Sequence, residues 1–216
     1  MLVKTLVGIF AISLLTFSLL YLTPDNNPYS PYNYGPTGLS DLFKIVHNVS
    51  NSNTILILIY YPNLQQLSSI NIIKYLKDGK TVIIAGNYSL LNDIFKQDDI
   101  QIVLGNILVT SGSHYYMDTN YLLVTYNNMT LLFPYSHPVI GGKPLISLDE
   151  QILVSCVKLF NGKLIVISSP YIFINKFIVT YNNEEFIKHL LGEDSTIIVV
   201  YHNTQFDYVK AFLSKL

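Results

Sequence analysis

Two stretches decide the fold: Thr54-Ile55-Leu56-Ile57-Leu58-Ile59-Tyr60 and Lys80-Thr81-Val82-Ile83-Ile84-Ala85-Gly86. Each is a continuous apolar run, the first closed by Tyr61-Pro62-Asn63. Such runs suit strands buried on both faces, the condition of a parallel sheet. Between them, Ser69 to Lys77 carries a helical pattern that Asp78-Gly79 stops. Strand, helix and strand together make a βαβ unit.

The same rhythm extends outward. Leu39, Leu42, Phe43 and Val46 fall on one helical face, with Thr37 placed to cap it. Ser89 to Phe95 reads as a short helix, and Asn183 to Gly192 as a longer one with an Asn cap, early acids and a terminal Gly. Tyr171 to Ile178 reads as a short helix, Thr196 to Tyr201 as the last strand, and Phe206 to Leu216 as a closing amphipathic helix. Gln151 to Val157 and Lys163 to Ser168 read as neighbouring strands about the Asn161-Gly162 turn. The middle, about residues 101–138, departs from the rhythm. Ile107 to Val109, Tyr121 to Thr125 and Thr130 to Phe133 predict short antiparallel strands, with a turn at Asn127-Asn128.

Ahead of this domain, residues 1–22 form an apolar run with Lys4 as its only charge. About twenty such residues make ~30 Å of helix, the thickness of a bilayer core, and predict an uncleaved transmembrane anchor. The positive-inside rule then puts Met1 in the cytoplasm and the domain in an extracytoplasmic place on the cell membrane. The bulky end of the run, Leu19-Leu20-Tyr21-Leu22, does not fit a signal-peptide cleavage site. Residues 23–36 hold four prolines and interleaved tyrosines, a linker that either spaces the domain out or straps across it. Sequons at Asn48, Asn87 and Asn128 fit an outside location. The domain proper is expected over 37–216.

Composition narrows the partners. Charged residues are 12% of the chain and the net charge is −1, against about a quarter charged in ordinary proteins. All thirteen cations are Lys, so the bidentate fork that reads phosphates and guanine edges is missing, and no nucleic acid is expected. Cys156 is the one cysteine, in an apolar run that predicts a buried, inert thiol. The five histidines show no ligand spacing, Asp98-Asp99 and Asp149-Glu150 read as solvated pairs, and Gly141-Gly142-Lys143 reads as a turn. Neither a metal nor a cofactor is implied.

Several passages together resemble the DUF4350 domain family, an uncharacterised archaeal and bacterial group. They are Asn33 to Ser40, Tyr75 to Ala85, Gly162 to Pro170 and Asn182 to Phe186. The resemblance implies an α/β fold with a mainly parallel sheet flanked by helices, flavodoxin-like or class I glutamine amidotransferase-like, usually tethered to a membrane. The chain as a whole also looks like an exported protein of thermoacidophilic archaea. The family tends to show acids after the strands that end at Ala85, Ile167 and Val200. Here those places read Gly86-Asn87, Ser168-Ser169 and Tyr201-His202.

In open α/β sheets ligands bind beyond the carboxyl ends of the strands. Four post-strand segments are therefore expected to converge there: Tyr60-Tyr61-Pro62, Asn87-Tyr88-Ser89, Ser169-Pro170-Tyr171 and Tyr201-His202-Asn203. Asn87, Ser89, Ser169, Tyr171, His202 and Asn203 are the candidate ligand-binding residues, a nearly uncharged set suited to a neutral ligand such as a sugar. No nucleophile stands on a G-x-S-x-G or G-x-C-x-G turn, so no catalytic residue is assigned. The expected function is a non-catalytic binding or assembly module, partnered by an envelope or transporter protein. The alternative is a hydrolase or sugar-active enzyme using Ser89, Ser169 and His202 at the same rim.

Overall fold

The computed structural model describes residues 2–22, 25–61, 64–67, 70–202, 207 and 210. Leu2–Leu22 is helical (α1) and Ser40–Ile45 forms α2. The edge pair His47–Asn48 (β1) precedes Thr54–Ile59 (β2). Leu64–Leu67 (α3) and Ile72–Lys77 (α4) then lead to Thr81–Gly86 (β3) and Tyr88–Gln97 (α5). The middle holds Val103–Leu104 (β4), Tyr115–Tyr116 (β5), Asp118–Tyr126 (β6), Met129–Pro134 (β7) and Val139–Ile140 (β8). Lys143–Leu148 (β9), Gln151–Leu159 (β10) and Gly162–Ile167 (β11) follow. A 3-10 turn over Pro170–Phe173, then Asn175–Ile178 (α6), Asn183–Leu191 (α7) and Asp194–Val200 (β12), complete the described elements.

The main sheet has seven strands in the order β1-β12-β2-β3-β11-β10-β9. The first four pairings are parallel and the last two antiparallel. The sheet is thus mixed, with a parallel body and two antiparallel strands, β10 and β9, at one side, and turn length explains that side. Only Asp149-Glu150 separates β9 from β10, and both residues have positive φ (47° and 67°). A two-residue connection of that kind can join only antiparallel strands.

Both faces of the central strands are covered, as their alternation requires. Ile55, Ile57 and Ile59 face a core with Ile72 and Leu76 of α4 and Leu91 and Phe95 of α5. Leu56 and Leu58 face the opposite core, with Leu42, Phe186 and Ile187. That second core also takes Leu122, Val124, Leu131 and Phe133 from a three-stranded antiparallel sheet, β5-β6-β7, which lies over the domain. Asn127 and Asn128, at φ 46° and 64°, make the tight turn between β6 and β7. The expected strand at 107–109 is absent; Ile107 is 74% exposed and offers no face to bury.

The membrane expectations are corrected. A helix does form over Leu2–Leu22. Yet among the described residues no helix is long and apolar enough to cross a membrane. The single-pass anchor over 1–22, the cell-membrane location with a cytoplasmic N-terminus and extracytoplasmic domain, and the fold class that included them are therefore withdrawn.

Three smaller readings also change. Asn183 is not the cap of α7 but its first residue, fully buried. Cys156 is half-buried rather than enclosed. Of the closing helix expected over 206–216, only Asp207 and Lys210 lie within the described residues, both helical.

At the carboxyl ends of β2 and β3 the two strands meet closely. A Cβ added to Gly86 would stand 2.6 Å from the Ile59 carbonyl oxygen. Gly86→Ala should therefore force the strand ends apart and cost about 1–3 kcal/mol. Urea unfolding reads this directly, and a loss below about 0.5 kcal/mol would contradict the packing described.

Candidate functional site

Beyond those strand ends lies a cleft of about 420 Å³, within the ~300–1,000 Å³ common for small-molecule sites. Its floor and sides come from three post-strand segments: Tyr60 after β2, Gly86-Asn87-Tyr88 at the end of β3, and Pro170-Tyr171 after β11. Tyr29 closes one side from the linker, while Leu108, Tyr135 and His137 close another from the middle region. Five tyrosines, one histidine and no charged residue line it.

The rings are held, not loose. Tyr29 stacks on Tyr60 with centroids 4.0 Å apart and planes 8° from parallel. Tyr60 donates its hydroxyl to the Pro170 carbonyl at 2.8 Å. The Tyr135 and Tyr121 hydroxyls meet at 3.1 Å, and Tyr135 packs edge-on to Tyr171. Tyr29 and Tyr135 sit at φ 65° and 49°, a left-handed conformation that bulky residues adopt only when their surroundings impose it. Burial drives the Tyr29 hydroxyl up to about 12, with Tyr171 and Tyr61 adding to the effect. Burial likewise raises Tyr60, and the hydrogen bond with Tyr121 raises Tyr135. These phenols stay protonated and neutral across the physiological range.

His137 is the imidazole of the cleft. Its backbone N–H donates to the Ser168 carbonyl, which brings the middle region to the end of β11. Its Nδ1 lies 2.9 Å from the Gly105 carbonyl oxygen. A carbonyl can only accept, so Nδ1 carries the proton and Nε2 is left as an acceptor. Burial lowers its basicity, opposed by that same bond to Gly105, and favours the neutral ring. Tyr88 packs against it at 4.5 Å between centroids.

The structure distributes the sequence candidates unevenly. Asn87 and Tyr171 line the cleft. Asn87 also caps α5, its Oδ1 accepting from the Ser89 and Leu90 amides at 3.0 and 3.4 Å, so its Nδ2 is the atom left for a ligand. Ser89 is exposed and outside the lining. Ser169 is fully buried; its hydroxyl donates to the Pro134 carbonyl and caps the 3-10 turn by accepting from Tyr171. His202 is exposed, and its carbonyl accepts from Asn27 Nδ2 at 2.6 Å, on the strap rather than in the cleft. Asn203 lies outside the described residues. Three of the four expected segments therefore converge. His137, Tyr135 and Leu108 were missed because they belong to the middle region, where no spacing ties them to a strand end.

No catalytic set assembles among the described residues. A hydroxyl does meet an imidazole in Ser113 and His114, at 2.9 Å, but these are exposed sequence neighbours outside the cleft lining. Among the described residues no group of three or more His, Cys, Asp or Glu could hold a metal ion.

The strap that delivers Tyr29 is itself clamped. Asn27 Nδ2 and Ser30 Oγ donate to the two Asp207 carboxylate oxygens, each at 2.9 Å. Asp25 is 4% exposed; one oxygen accepts the Asn27 amide and the other has no hydrogen-bond partner. Burial raises the Asp25 carboxyl above its ordinary value, the bond from the Asn27 amide opposes that, and nearby Asp207 adds to it. Further along, Asn175 Nδ2 donates to the Asn33 and Gly35 carbonyls at 3.0 and 2.8 Å, holding the strap to α6.

Comparison with known proteins adds little to this geometry. No family model matches the chain, and no curated protein does. A solved structure described as the mmIFT52 N-terminal domain matches at 14% identity and a TM-score of 0.46, covering 66% of this chain and 80% of its own. A likeness of that degree carries no functional argument, so the reading of this chain rests on its own residues.

Proposed function

We propose that this chain is a non-catalytic binding module, a relative of the DUF4350 proteins, whose working surface is the tyrosine-walled cleft at the ends of β2, β3 and β11. One observation carries the reading. The imidazole that reaches the cleft spends Nδ1 on a backbone carbonyl, and no serine, cysteine or carboxylate stands among the lining residues. An imidazole with nothing to activate is a hydrogen-bonding group. The hydrolase alternative needs Ser169 or Ser89 beside His202; Ser169 is sealed in a backbone bond and His202 sits on the strap.

The test is turnover. Purified protein assayed against nitrophenyl esters and nitrophenyl glycosides should give no rate above buffer. Turnover that disappears in His137→Ala, with folding intact by circular dichroism, would overturn the reading.

A further inference from the structure

Resting on the binding reading above, we infer that the cleft takes an uncharged, hydroxyl-bearing ring of sugar type, laid against the tyrosine faces and fixed between Asn87 Nδ2 and His137 Nε2. Anionic ligands lack a cation: no Lys lines the cleft, and the Lys176 ammonium lies over the Tyr121 and Phe177 rings instead. The helix end beside the cleft offers little to an anion either, since two of its leading amides are spent on Asn87 Oδ1. Cationic ligands lack a carboxylate, because no acid lines the site.

What remains are half-buried aromatic surfaces with unspent polar atoms, among them Asn87 Nδ2 and His137 Nε2. Asn87 Nδ2 can only donate and neutral His137 Nε2 can only accept. A hydroxyl does both, so a ring carrying several hydroxyls satisfies each atom, while its C–H face covers the apolar wall. A purely apolar ligand would bury both polar atoms without partners, at about 1–3 kcal/mol each. The tied hydroxyls of Tyr60 and Tyr135, and the stacking of Tyr29 on Tyr60, also fix the wall before binding, which lowers the ordering cost.

The full chain is titrated with methyl glucoside, methyl galactoside, N-acetylglucosamine and maltose, and separately with tetramethylammonium, phenol and inorganic phosphate. Saturation-transfer NMR reports contact, and chemical-shift changes at the tyrosines report place. At least one sugar should bind. Its affinity should fall tenfold or more in Tyr171→Ala and in Asn87→Asp, which keeps the Oδ1 cap of α5 and removes only the donor. Sugar binding that both variants leave unchanged lies elsewhere and overturns the inference. Binding of phenol or tetramethylammonium alone overturns the sugar class while leaving a binding cleft. Silence at the tyrosines with every probe sinks both.

Discussion

Replacing Asn183 with alanine should cost about 4 kcal/mol of folding stability, among the largest effects of any single change. The side chain is fully buried. Its Oδ1 accepts from the Leu132 amide at 2.9 Å, while Nδ2 donates to the Leu132 carbonyl at 2.9 Å and the Phe177 carbonyl at 3.0 Å. One amide thus completes β7 on its open side and binds it to α6 and α7. Alanine would leave three buried backbone groups without partners, at about 1–3 kcal/mol apiece before relaxation. Urea unfolding of the full chain is the measurement. A loss below about 1 kcal/mol would mean that water or a neighbour reaches those groups.

Asp25→Asn should stabilise the protein at neutral pH, whereas Asp207→Asn should cost about 3 kcal/mol. The two carboxyls are buried together but differently served. Asp207 receives two side-chain donors and is the natural seat of the charge. Asp25 keeps one oxygen unpartnered, and its folded-state affinity for a proton is raised, chiefly by burial. The sign follows from linkage: between the unfolded value of about 3.9 and the raised folded one, native Asp25 binds more proton than the unfolded chain does. Its stabilising contribution is full below that unfolded value and is lost as pH rises through the raised folded one. The amide introduced by Asp25→Asn would mimic the protonated form at every pH and keep the acceptor for the Asn27 amide. Thermal melts at pH 4 and pH 7 should therefore show the Asp25→Asn variant gaining over the parent only at the higher pH. A gain from Asp207→Asn and a loss from Asp25→Asn would place the proton on the other carboxyl.

The central strands were legible in the sequence because burial on both faces leaves an unmistakable mark. Ile55 to Ile59, Val82 to Ala85, Leu164 to Ile167 and Ile197 to Val200 are apolar without interruption, and each is an inner strand. β9 was not legible: it opens with Lys143-Pro144, and proline argues against a strand unless it lies at an edge, as β9 does. β1 is two residues long and has no pattern to read. For the site, the rule that loops after parallel strands share a rim found Tyr60, Asn87 and Tyr171. It failed for the segment after β12, because Tyr201 turns inward to the Asp25–Asp207 cluster; burial and the nearby Asp207 both raise its hydroxyl. It was silent about His137, which reaches the rim through a long excursion from β3 that no local signal records.

The contacts that hold Tyr29 in place span some of the greatest sequence separations in the fold: Asn27 and Ser30 meet Asp207 across 180 and 177 positions. During synthesis the wall that Tyr29 supplies cannot be fixed until Asp207 has left the ribosome, long after β2, β3 and their helices are free to collapse. The finished cleft should thus appear as a late, all-at-once step, which makes its completion a natural report that the chain has been made at least as far as Asp207.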